Sequence, residues 1–133
     1  MPKTINEIVQ KKQKQKITVV TSYDYTMATL CDQVDILLVG DSAGMVMLGY
    51  ENTVPVTMDQ MCMFTEGVSN GRKNALIVAD LPNKSYENES DAVTNSQRLI
   101  NAGADAVKLE GRLPDIIKAI IKAGIPVMGH LGL

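Results

Sequence analysis

Asn101-Ala102-Gly103-Ala104-Asp105-Ala106-Val107-Lys108-Leu109-Glu110-Gly111 is the stretch that decides the fold class. It closes a helical pattern over residues 87–102 with Gly103, then opens a short strand over 106–109 that ends on Glu110 and Gly111. The same rhythm returns in Lys122-Ala123-Gly124-Ile125-Pro126-Val127-Met128-Gly129-His130. There a helix over 114–123 closes on Gly124, and a further strand opens at 126–128 and ends at His130.

Reading toward the N-terminus, the pattern repeats. A strand over 75–79 ends at Asp80-Leu81-Pro82, and a helix capped by Thr57 runs to about residue 70. A strand over 35–39 ends at Gly40-Asp41-Ser42, a helix covers 26–33, and a β-branched strand covers 17–20. The first helix, 4–13, carries Thr4 as N-cap and Glu7 three residues on, a capping box. Residues 43–56 form a long Gly-rich connection, read as a mobile loop covering a site. Five strands and four intervening helices in strict alternation predict an α/β fold with a parallel sheet, either doubly wound or a barrel. The nearly all-apolar strands predict burial on both faces. No GxGxxG follows the first strand, which weighs against a dinucleotide fold.

A (β/α)8 barrel takes roughly 250 residues, and this chain has 133. The expectation is therefore the N-terminal part of one barrel domain spanning 1–133, with the C-terminal half outside the sequence. Such a half-barrel leaves two sheet edges and an apolar inner face open, which favours association.

Composition narrows the class further. The chain is 45% hydrophobic and 21% charged, the proportions of a globular protein. With 4% aromatics and no Trp, aliphatic side chains and Met must fill the core. A net charge of -2 carries no nucleic-acid signature, and the basic cluster at 11–16 reads as a solvated helix end. Cys31 and Cys62 lie in helical patterns without a CxxC and read as reduced thiols. No signal peptide opens the sequence and no apolar run approaches the ~20 residues of a membrane span. A cytoplasmic protein is expected, with neither nucleic acid nor membrane as partner.

Each strand ends in ionisable residues: Tyr23 and Asp24, Asp41, Asp80, Lys108 and Glu110, and His130. In parallel α/β folds these ends share one face, where sites are built. A single Asp there is more often a helix cap or turn former; five strands in succession are harder to explain so. Asp41, Asp80 and Glu110 are hard oxygen donors suited to magnesium. Zinc is disfavoured, since the chain has one His and no Cys/His cluster. Lys108 and Glu110 flank Leu109 and so point to one face. Lys108 is read as an anchor for an anionic substrate, beside the plainer reading of a buried ion pair. His130 is a candidate site residue beside its alternative, a hydrogen-bonded histidine at a strand end. The stretch 40–49 lacks the GxxxxGK[ST] of a nucleotide loop.

Five segments together resemble one family. They are SYDYTMA (22–28), LLVGDSAGMVMLGYENTVPVTMDQM (37–61), IVADLP (77–82), AGADAVKLEG (102–111) and GIPVMGHLGL (124–133). In this order they resemble the ketopantoate hydroxymethyltransferases. The resemblance implies a (β/α)8 barrel and the transfer of a hydroxymethyl group from 5,10-methylenetetrahydrofolate to 3-methyl-2-oxobutanoate, giving 2-dehydropantoate in pantothenate biosynthesis. It implies Mg2+ at Asp41, Asp80 and Glu110, and keto-acid binding by Asp41, Ser42, Asp80 and Lys108. It also implies a homo-oligomer. It places the proton-abstracting glutamate beyond these residues, so no catalytic residue of this chain is implied, and the chain alone is expected to be inactive.

The chain departs from the family pattern at Asn83 and Lys84, where two apolar residues are usual, and at Phe64, where a His is common. Residues 31–35, CDQVD, look one residue short. Two other readings compete. One is a magnesium-dependent barrel of the phosphoenolpyruvate mutase and isocitrate lyase group, against which the helical cysteines argue. The other is an inactive half-barrel that binds only ligand or a partner.

Overall fold

The computed structural model describes residues 1–132. It contains the expected alternation: α1 (Ile5–Gln10), β1 (Val19–Thr21), α2 (Tyr25–Cys31), β2 (Ile36–Val39), α3 (Ala43–Val46), α4 (Met58–Gly71), β3 (Leu76–Asp80), α5 (Glu89–Asn101), β4 (Ala106–Glu110), α6 (Pro114–Lys122) and β5 (Val127–His130).

All five strands form one parallel sheet in the order β1-β2-β3-β4-β5. This order settles the choice between doubly wound sheet and barrel. A doubly wound sheet reverses direction at a switch point; here every crossover steps the same way. Right-handed crossovers then put every intervening helix on one face.

Burial agrees with that arrangement. Leu37, Val39, Ile77, Ala79, Val107 and Leu109 belong to the main core, with Met61, Phe64, Val68 and Leu99 from the helices. The opposite face carries Ile36, Leu76, Val78 and Ala106, against which Ile5 and Ile8 of α1 pack. Residues of period two thus serve two cores, and β3 is buried at all five positions. The end strands differ from the expectation of full burial. Val19 is 47% exposed and His130 also lies open, because each end strand has a strand neighbour on one side only.

Other expectations need adjustment. The first helix stops at Gln10, three residues early, and the chain turns through Gln13 at φ 63. Lys11 is not a solvated side chain: its Nζ donates to Asp35 Oδ1 at 2.6 Å, and Lys3 Nζ lies 3.5 Å from the same oxygen. The first strand sits two residues later than expected, because its pairing begins at Val19↔Ile36. The 43–56 connection is not a free loop. It opens with α3, Tyr50 N–H donates to the Gly44 carbonyl, and Gln60 Nε2 donates to Tyr50 Oη.

Candidate functional site

The strand register carries the polar residues to one end of the sheet. Asp80 pairs with Lys108, and Glu110 pairs with His130. Asp80, Lys108 and Glu110 share the parity of Val78 and Ala106, so they stand on the inner face, above the apolar layer packed by α1. A cavity of about 120 Å3 opens there, lined by Asp41, Asp80, Leu81, Tyr86, Lys108, Leu109, Glu110 and His130.

Asp80 is the hub. Lys108 Nζ donates to its Oδ1 at 2.8 Å, and the Asp41 backbone N–H donates to its Oδ2 at 3.1 Å. Both side chains of the ion pair are largely buried, 19% exposed for Lys108 and 10% for Asp80. Burial pushes the Asp41 carboxyl above its ordinary pKa, and the neighbouring Asp80 charge pushes it further. Lys108, the Thr53 hydroxyl and the Ser42 backbone N–H oppose that rise. One lysine thus faces two neighbouring carboxylates.

Three further contacts lie in or near the cavity. His130 Nδ1 contacts Glu110 Oε2, and the Glu110 backbone N–H donates to Tyr86 Oη at 3.4 Å. Tyr23 Oη lies 2.7 Å from Ser42 Oγ. Gly40 leaves room for the Ser42 hydroxyl: a Cβ there would stand 2.8 Å from Ser42 Oγ and 3.5 Å from Asp80 Oδ2.

Asp41, Asp80, Lys108, Glu110 and His130 therefore all line one cavity. Asp24, the other acid after β1, does not: it caps α2, accepting from Met27 N–H at 2.7 Å. Sequence reasoning missed Tyr86 and Thr53. Both sit in connections, and no periodicity marks which connection residue folds back over a site.

Among the described residues, no three His, Cys, Asp or Glu side chains are gathered closely enough to hold a metal ion by themselves. The arrangement nonetheless fits magnesium, which takes one or two carboxylates and completes its shell with water and substrate oxygens. Asp41 and Asp80 are such a pair, and their mutual repulsion is the charge a divalent cation relieves. Glu110 stands nearby but engages His130.

The other departures have a structural place. Phe64 is buried in the main core, whereas Asn83 and Lys84 are exposed, Lys84 at φ 64. Cys31 and Cys62 are both free and helical. No helix among the described residues is long and apolar enough to cross a membrane.

A family model described as ketopantoate hydroxymethyltransferase matches residues 2–133. The 3-methyl-2-oxobutanoate hydroxymethyltransferase of Nitrosopumilus maritimus is 64% identical, over 100% of this chain and 50% of that protein. The protein of the same name from Caldicellulosiruptor bescii is 56% identical, over 98% of this chain and 52% of its own length. The chain spans about half the length of the curated relatives it matches. Among solved structures, a phosphonopyruvate hydrolase in complex with oxalate and Mg++ superposes with a TM-score of 0.78 at 12% identity, over 97% of this chain and 53% of that one. A 2,3-dimethylmalate lyase of the PEP mutase/isocitrate lyase superfamily gives 0.73 at 16% identity, over 98% and 52%. At such identities the likeness shows the fold alone.

Proposed function

Because the chain belongs to the ketopantoate hydroxymethyltransferase family, we propose that it carries the metal- and keto-acid-binding side of a hydroxymethyl transfer. The reaction moves the one-carbon unit of 5,10-methylenetetrahydrofolate onto 3-methyl-2-oxobutanoate and yields 2-dehydropantoate, a step of pantothenate biosynthesis. Residues 1–133 make up the N-terminal part of one (β/α)8 domain. Small molecules are its partners rather than nucleic acid or membrane, and the protein works in the cytoplasm as a homo-oligomer.

The observation that carries this reading is the Asp41–Asp80–Lys108 arrangement at the strand ends. Asp41 and Asp80 would hold Mg2+, with Glu110 as the third metal-site carboxylate. When bound, the ion supplies Lewis-acid neutralisation of charge developing on the keto acid. The chain's own groups do the positioning. The Lys108 ammonium balances the carboxylate pair and faces the anionic end of the substrate. Ser42 offers a hydroxyl donor beside the space that Gly40 leaves. Tyr86 and Leu81 contribute to the wall of the cavity. The base that removes the proton from the keto acid is assigned to no residue of this chain; His130, held by Glu110, shapes the rim of the cavity.

Calorimetry of 3-methyl-2-oxobutanoate with and without Mg2+ tests this directly. Saturable binding that disappears with EDTA, and in Asp80→Ala, is expected. Binding that ignores the metal, or that survives loss of Asp80, would sink the reading.

A further inference from the structure

Ser42 occupies the N-cap position of α3, where a serine side chain normally accepts a hydrogen bond from the first turn. Here it makes no capping bond. Its Oγ instead meets Tyr23 Oη at 2.7 Å. The Tyr23 ring packs against the main core cluster, so the phenol is an anchored group that brings its hydroxyl to Ser42 from the segment after β1. Ser42 Oγ and Asp80 Oδ2 both lie near the position a Gly40 Cβ would take, at 2.8 and 3.5 Å from it. Ser42 Oγ thus meets a core-anchored phenol and stands near Asp80.

Two hydroxyls 2.7 Å apart can share their proton either way, and chemistry decides the direction. A phenol is more acidic than an alkyl hydroxyl, and its oxygen lone pair is drawn into the ring, so it is the better donor and poorer acceptor. Tyr23 then donates to Ser42, which leaves the Ser42 hydrogen free for another acceptor. A hydroxyl that accepts one bond also donates a stronger one. We propose that Tyr23 is a positioning residue: it aims and strengthens the Ser42 hydroxyl as a donor to an oxygen of the bound keto acid. This inference rests on the keto-acid reading above. It adds a residue that touches no substrate and acts only through Ser42.

The test is a double-mutant cycle in the whole chain, with two readouts. The first needs no ligand. Ultraviolet resonance Raman reports the hydrogen-bond state of tyrosine hydroxyls, and subtracting the Tyr23→Phe spectrum isolates Tyr23. A donor signature that is lost in Ser42→Ala is expected; an unchanged Tyr23 signature overturns the proposal. The second readout is the Kd of 3-methyl-2-oxobutanoate with Mg2+. Loss of one neutral hydrogen bond corresponds to about a three- to tenfold change. Tyr23→Phe is expected to weaken binding by that factor in the wild type, and by less than about twofold in the Ser42→Ala background. Equal, additive losses would mark Tyr23 as merely structural and overturn the inference alone. Gly40→Ala supplies a second route, since its Cβ displaces a rotatable Ser42 hydroxyl; it should weaken binding and remove the Tyr23 donor signature together. If the wild-type chain binds no keto acid while the Tyr23 signature is intact, the failure lies in the functional reading, and the ligand assigned to Ser42 falls with it.

Discussion

Lys108 Nζ and Asp80 Oδ1 lie 2.8 Å apart across the β3–β4 register, with the backbone N–H of Asp41 on the other oxygen of Asp80. The pair is inward-facing and largely buried, so it is not a surface bridge of negligible weight. Removing the cation leaves Asp80 and the neighbouring Asp41 without their shared neutraliser. Lys108→Met is therefore expected to lower affinity for 3-methyl-2-oxobutanoate at least about tenfold, the scale of a charge-assisted hydrogen bond. It should also raise the apparent affinity for Mg2+, which takes over part of the neutralisation. Calorimetric titration of each ligand checks both signs, and a loss of metal affinity would argue against the arrangement proposed.

Asp35 anchors the opposite end of the sheet. Its carboxyl is held far below the usual carboxylate range, first by the hydrogen bond from Lys11, next by the Thr18 backbone N–H, and against the opposing effect of burial. A depressed folded-state pKa adds stability above the unfolded value of about 3.9, and that stability is lost as pH falls below about 5 toward the folded value. The wild type should therefore weaken on acidification, whereas Asp35→Asn should be less stable at pH 7 by on the order of 3 kcal/mol and should show a flatter pH profile. Denaturant titrations at pH 7 and pH 3.5 compare them.

Asp32 ties α2 to the chain entering β3. Its carboxylate accepts from the backbone N–H groups of Lys73, Asn74 and Ala75 at 2.9 to 3.0 Å. Burial pushes its carboxyl up, yet these bonds outweigh burial and hold it below the ordinary value. Asp32→Ala orphans these three backbone donors and the Asn74 side-chain amide, and a loss of about 2–4 kcal/mol is expected from thermal or denaturant unfolding. A loss under about 1 kcal/mol would mean that water replaces the carboxylate easily.

Gly44 seats the 43–56 connection. A Cβ there would stand 2.4 Å from Val56 Cγ2 and 3.1 Å from Tyr50 Cδ2. Gly44→Ala should unseat the connection at a cost of about 1–3 kcal/mol. The same substitution should expose residues 47–55 to limited proteolysis. Wild-type resistance in the variant would show that the segment closes without this contact.

How much of this was legible in the sequence depends on the range of the interaction. Thr4 with Glu7 forms its capping box and Thr57 caps its helix as read, because a cap spans three residues and needs no tertiary partner; that Gln60 completes a second box was not read. The alternation of strand and helix was equally local, and it bounded the fold to a parallel sheet. Asp41, Asp80, Lys108, Glu110 and His130 could be named as candidates because the ends of parallel strands must share a face.

The tertiary structure decided the rest. Strand order resolved barrel against doubly wound sheet, since pairing between distant strands leaves no periodic mark. Lys11 and Asp35 meet across 24 residues, and Tyr23 and Ser42 across 19. The shift of β1 to Val19–Thr21 came from its register on β2 rather than from its own β-branched run at 17–20. Local chemistry thus determined which elements form and which residues end them. Packing alone determined that Asp80 takes Lys108, that Asp24 is spent on a helix cap, and that the serine after Asp41 is gripped by a tyrosine.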